Sequence, residues 1–104
     1  MARGLWVVRT RPASPEQDAE LNEWYDGTHV PELLAVPGFV SARRFRRTAE
    51  DGGTEYLAVY ELEADDVPGV LAEWRRRSAA GETTRSPSLQ VDPPPVAELW
   101  QELP

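Results

Sequence analysis

The sequence has 104 residues, 40% hydrophobic and 28% charged, with a formal net charge of −7 and no cysteine. That length fits one compact domain, residues 1–104, whose small core gains from oligomerisation. The composition excludes disulfide scaffolds, thiol nucleophiles and thiolate metal sites, and the acidic balance argues against nucleic acid or an anionic membrane as partner. No apolar run approaches the roughly 18 residues of a membrane span, and the start lacks the apolar stretch of a signal peptide, so the expected location is cytoplasmic.

Leu5-Trp6-Val7-Val8 predicts a strand at about 3–10, with apolar residues on both parities and therefore both faces covered. Ser14-Pro15-Glu16-Gln17 reads as a helix start, with Ser14 as N-cap, Pro15 at N1 and Gln17 at N3. The helix carries Leu21, Trp24, Tyr25 and Thr28 on one side and Glu16, Glu20 and Glu23 on the other. Asp26-Gly27 is expected to weaken or end it. Pro31 then opens a short second turn over 32–36, stopped by Pro37-Gly38.

Residues 39–47 alternate as a strand, with Val40, Ala42 and Arg44 on one face and Phe39, Ser41, Arg43 and Phe45 on the other. A turn at 50–53 leads into a strand over 54–62 that is also apolar on both parities. Asp65 or Asp66 caps the next helix, which has Pro68 in its first turn and a buried stripe of Val67, Val70, Leu71 and Trp74. Arg75-Arg76-Arg77 complements the dipole at that helix's end. Residues 79–95 have little periodicity and include Pro93-Pro94-Pro95, which reads as a functional loop or a dimer arm. A last strand is expected over 96–103.

The order β-α-β-β-α-β is the ferredoxin-like α+β arrangement, a four-stranded antiparallel sheet with two helices on one face. Two helices cover only one face of such a sheet. The apolar residues of the other face would then meet water unless a second copy covers them, so a homodimer is expected.

Chemistry concentrates in one segment, W-Y-D-x-x-H-x-P-x-L-L-x-V-P-G-F-x-x-A-R-R-F, from Trp24 to Phe45. His29 is the only histidine, and an ordinary pKa near 6.5 would make it the best acid–base group available. It follows Tyr25 by four residues, so a continuing helix puts both on one side, with Asp26 or Glu32 able to orient the imidazole. Trp24 and Tyr25 diverge by about 100°, so only one of them can face the sheet fully. Trp6, Tyr56, Tyr60, Trp74 and Trp100 are core residues first and pocket lining second. Arg44, sharing a face with small neighbours, is suited to an enolate, phenolate or carboxylate, or else to an ion pair with Glu55 or Glu61. All 11 basic residues are arginine, which rules out lysine Schiff-base chemistry. A lone histidine among scattered carboxylates gives no metal-ligand spacing, so no metal is expected.

The same segment resembles the dimeric α+β barrel superfamily, particularly its EthD-like branch. The resemblance implies a ferredoxin-like homodimer with one pocket per subunit between sheet and helices. Relatives include cofactor-free quinone-forming monooxygenases, aromatic polyketide cyclases, muconolactone isomerases and haem-binding proteins, several with a histidine of the first helical segment in the pocket. His29 is the matching residue here. Haem is not expected, because that branch needs a suitably placed axial ligand and a longer chain. The expected function is cofactor-independent proton transfer on a hydrophobic aromatic or polyketide-like carbonyl compound, leading to cyclisation, dehydration or isomerisation. His29 and Tyr25 would carry the chemistry, and Trp24, Arg44, Trp6, Tyr60 and Trp74 would bind the substrate. The alternatives are a cofactor-free quinone-forming monooxygenase and a non-catalytic small-molecule-binding dimer.

Overall fold

In the computed structural model, which describes residues 1–104, four strands form one antiparallel sheet in the order β2-β3-β1-β4. β1 (Ala2–Thr10) pairs with β3 (Thr54–Ala64) from Ala2↔Ala64 to Thr10↔Tyr56, and on its other side with β4 (Val96–Gln101). β2 (Phe39–Thr48) lies on the far edge against β3. Side chains alternate across a strand, so Trp6 and Val8 of β1 share the helix-covered face with Tyr56, Ala58, Tyr60 and Leu62 of β3. The architecture is the ferredoxin-like α+β arrangement predicted from the element order.

The first helical segment is longer than expected. A 3-10 turn (Pro15–Gln17) leads into α1 (Asp18–Trp24), a π-helical turn (Tyr25–His29) and α2 (Val30–Leu34). Asp26-Gly27 therefore does not end the helix. Pro31 offers no N–H, and its ring would crowd the Gly27 carbonyl of a regular α-helix. A wider turn placed just before it carries the chain past that obstacle. At the segment's start, Ser14 has extended N-cap geometry, but its hydroxyl bonds the Gln17 side chain at 2.9 Å instead of a backbone N–H.

Gly38 closes the turn into β2. Its φ of +106° lies in the region that favours glycine, and any Cβ there would run into Val70 of α3 (Val67–Ala79). α3 is capped by Asp66, whose carboxylate accepts the Gly69 N–H at 3.2 Å, a contact worth about 1 kcal/mol. Val67, Val70 and Leu71 of α3 are buried with Leu21, Tyr25, Leu33, Val36 and Phe39 over the sheet. At the other end of α3, Arg76 and Arg77 both clamp Glu73 and hold its carboxyl down at about 2, and Arg76 also reaches Glu82.

β2 departs from simple alternation. A bulge between Phe39 and Ser41 inserts Val40, which is left exposed. Phe39 is thus buried beneath the helices although Ala42 and Arg44, of opposite parity, face the same side. The expectation that Val40 shares Arg44's face fails for this reason. The uncovered face shows Leu5, Phe45, Val96 and Trp100 to solvent. Trp100 is consequently no core residue, because it pairs opposite Leu5 on the side away from the helices. Open grooves run along this face, one by Phe45 and Leu57 and one by Leu5 and Trp100. No helix is long and apolar enough to cross a membrane.

Candidate active site

The π turn sets the site's geometry, because it carries Tyr25 and His29 at its two ends. The His29 ring stacks on Trp24 at 4.4 Å and meets Tyr25 edge-on at 4.9 Å and Trp74 of α3 at 5.5 Å. Aromatic walls on three sides strip water from the imidazole. Burial, and then the nearby Arg44 charge, lower its pKa to about 4. The expected value near 6.5 is therefore corrected downwards, and the ring is neutral at neutral pH. Neither carboxylate proposed to orient it does so. Asp26 is bound by Arg44, and Glu32 accepts the Thr84 backbone N–H at 3.0 Å.

Arg44 projects from β2 beneath that turn. Its guanidinium carbon lies 4.3 Å from the centre of the Tyr25 ring and 5.1 Å from that of Tyr56, favourable cation–π geometry. Nη1 donates to Asp26 at 3.0 Å. The partners expected for Arg44, Glu55 and Glu61, lie on the opposite face, where they meet Arg47 and Arg43. Nε and Nη2 of Arg44 are sealed from water without a hydrogen-bond partner, as is the Tyr60 hydroxyl. A buried unsatisfied donor costs about 1–3 kcal/mol. Three of them on one face mark a place where stability is given up.

Tyr25 and Tyr60 stay protonated. Burial raises the Tyr25 pKa, with Thr10 and the Arg44 charge opposing it. Burial and then Tyr25 raise that of Tyr60, against Arg44. Trp6 sits across the β1–β3 ladder from Tyr60, with Arg75 over its ring at 5.8 Å. Of the seven predicted site residues, Trp24, Tyr25 and Trp74 enclose His29, and Arg44 and Tyr60 lie on the sheet beneath. Trp6 stands to one side. No three side chains among His, Cys, Asp and Glu come together as a metal-binding group.

Two contributors stand outside the seven predicted site residues, although Tyr56 was read from the sequence as core first and pocket lining second. Tyr56 is the second ring at Arg44, and its hydroxyl is fixed by Asp18 at 2.5 Å and Asn22 at 3.0 Å. The signal was the run Tyr56-x-Ala58-x-Tyr60, since Ala58 pairs opposite Arg44 and leaves room between two tyrosines. The other is Thr84. Its carbonyl accepts the Trp24 indole N–H at 3.0 Å while its N–H is held by Glu32, so the 79–95 segment is strapped to the helix bearing His29.

No family model matches the chain, and no curated protein matches its sequence. Solved structures do match. An EthD family protein from Bacillus halodurans aligns with a TM-score of 0.59 at 16% identity, over 99% of this chain and 100% of its own. A monooxygenase from the gene ActVA-Orf6 of Streptomyces coelicolor, in complex with nanaomycin D, aligns at 0.54 and 19% identity, over 99% and 89%. A candidate monooxygenase from Shewanella loihica aligns at 0.57 and 17%, over 100% and 98%. The chain therefore has the fold of the dimeric α+β barrel proteins, as its Trp24-to-Phe45 segment led us to expect.

Proposed function

We propose that this protein is an enzyme that transfers a proton on a hydrophobic, aromatic or polyketide-like carbonyl compound, with no metal or organic cofactor. The observation that carries this reading is a neutral imidazole in an aromatic box beside a half-buried arginine with two buried, unpartnered nitrogens. His29 takes a proton from the position next to the carbonyl. The Arg44 charge and the Tyr25 and Tyr60 hydroxyls stabilise the oxyanion that forms. The two events are coupled. In the free protein burial, and then the Arg44 charge, keep His29 neutral; an oxyanion on Arg44 offsets the second of these and raises the imidazole's basicity as the proton leaves the substrate. Cyclisation, dehydration and isomerisation all follow from such an enolate. Residues 1–104 act as one unit, paired with a second copy through the uncovered apolar face.

A second reading, cofactor-free oxygenation, is favoured by the fold likeness to a Streptomyces monooxygenase held in complex with nanaomycin D. In it the substrate carbanion itself reduces dioxygen. One experiment addresses both. The protein is incubated with a panel of aryl ketones and polyphenols in deuterated buffer, with exchange followed by NMR and dioxygen by electrode. Exchange above buffer without oxygen uptake supports proton transfer as the complete reaction. Uptake supports the second reading, and neither signal across the panel defeats both.

A further inference from the structure

Nε and Nη2 of Arg44 are the two nitrogens on one edge of the guanidinium, and their N–H bonds run parallel. That edge is the unpartnered one, while Nη1 at the other end is engaged by Asp26. Tyr25 and Tyr56 lie against the guanidinium, so its position is set before any ligand arrives. The Tyr60 hydroxyl, also buried and unpartnered, occupies the neighbouring rung: Arg44 pairs with Ala58, and Ala42 with Tyr60, all on one face.

We infer that this edge, with the Tyr60 hydroxyl, is a site for two convergent, coplanar oxygens sharing one negative charge, namely the enolate of a β-dicarbonyl compound. The inference rests on the proton-transfer reading and deepens it by naming the substrate class. A point charge would be met equally well by a lysine. A parallel pair of N–H donors instead selects oxygens that lie side by side in one plane. In a β-dicarbonyl enolate of convergent geometry the oxygens lie that way, and loss of the proton between the two carbonyls is the step His29 would perform. Both nitrogens are sealed from water, so a ligand reaches this edge only where the packing over it opens.

The test separates geometry from charge. 2-Acetyldimedone and dimedone are both enolates at neutral pH, but only the acetyl compound can present two convergent oxygens. Calorimetric titration of the protein with each should show at least tenfold tighter binding of 2-acetyldimedone. Arg44→Lys keeps the charge, loses the parallel donors and should abolish that preference. Tyr60→Phe removes only a hydroxyl and should weaken 2-acetyldimedone several-fold, which keeps the test decisive should Arg44→Lys unfold. Equal affinity of the wild type for the two anions overturns the inference, as does a preference that survives both substitutions. The proton-transfer reading fails on a different result, absence of deuterium exchange, and the titrations do not depend on it.

Discussion

Arg43 and Arg44 are adjacent in one strand and have opposite surroundings. The Arg43 side chain is 69% exposed and meets Glu61 at 3.9 Å; that of Arg44 is 15% exposed, lies against two phenol rings and keeps two donors unmatched. The contrast extends to the whole sheet. On the uncovered face charges find partners while apolar side chains go uncovered, as with Arg47 and Glu55 near Phe45. On the helix-covered face the apolar groups are packed, while Nε and Nη2 of Arg44 and the Tyr60 hydroxyl lack partners. The first face is unfinished in hydrophobic burial and the second in hydrogen bonding, so the two call for different completions: another protein surface and a polar ligand.

The largest effect is expected on the covered face. His29→Ala should lower turnover by about 10²-fold or more in the exchange assay, because Trp24, Tyr25 and Trp74, the rings packed on the imidazole, supply no substitute base. On the uncovered face, Phe45→Arg with Trp100→Arg should turn a dimer at micromolar concentration into a monomer by sedimentation, with the fold retained by circular dichroism. A wild type that sediments as a monomer would break the comparison at its root.

Acid titration gives a third contrast. His29 has a folded pKa of about 4 against an ordinary 6.5, so the unfolded chain binds more protons between those values. Its contribution is complete above about pH 6.5 and is lost as pH falls through 4. The loss should be of order 2 kcal/mol after allowing for the ring's partial solvent contact. Denaturant melts of wild type and His29→Gln across that window measure it, and parallel curves would assign the acid sensitivity elsewhere. Tyr60→Phe should stabilise the protein by about 1 kcal/mol, since it deletes a buried hydroxyl without a partner; a rise in thermal midpoint of a few degrees is the readout. Arg43→Ala, on the solvated face, should change stability by less than about 0.5 kcal/mol.

The strands, the α3 cap and the nearness of His29 to Tyr25 were legible because each rests on local pattern: alternation, an Asp before Pro68, and a four-residue spacing. What escaped depends on partners distant in sequence. Pro31 accounts for a widened turn near Gly27, but that the helix runs on past Asp26-Gly27 depends on the burial of Leu21 and Leu33 in one core, which holds both ends in line. The pairing of Arg44 with Asp26 needs two elements to meet. The low His29 pKa needs the aromatic box assembled first, and Thr84's role needs a long connection to return to α1.

The bulge at Val40 bears on how such a protein can change over generations. Downstream of it the register of β2 decides which arginine looks inward. Losing the codon for Val40 would remove the extra residue and join Phe39 to Ser41 in ordinary alternation, with Ala42 and Arg44 still beneath the helices and Ser41 and Arg43 still facing away. The inward-facing arginine is thus fixed by the pairing of Ser41 with Glu61 and not by the number of residues that separate it from Gly38. Length variation at this one position is absorbed by the bulge, so relatives that differ by a residue between Phe39 and Ser41 are expected to keep the same side chain beneath the helices.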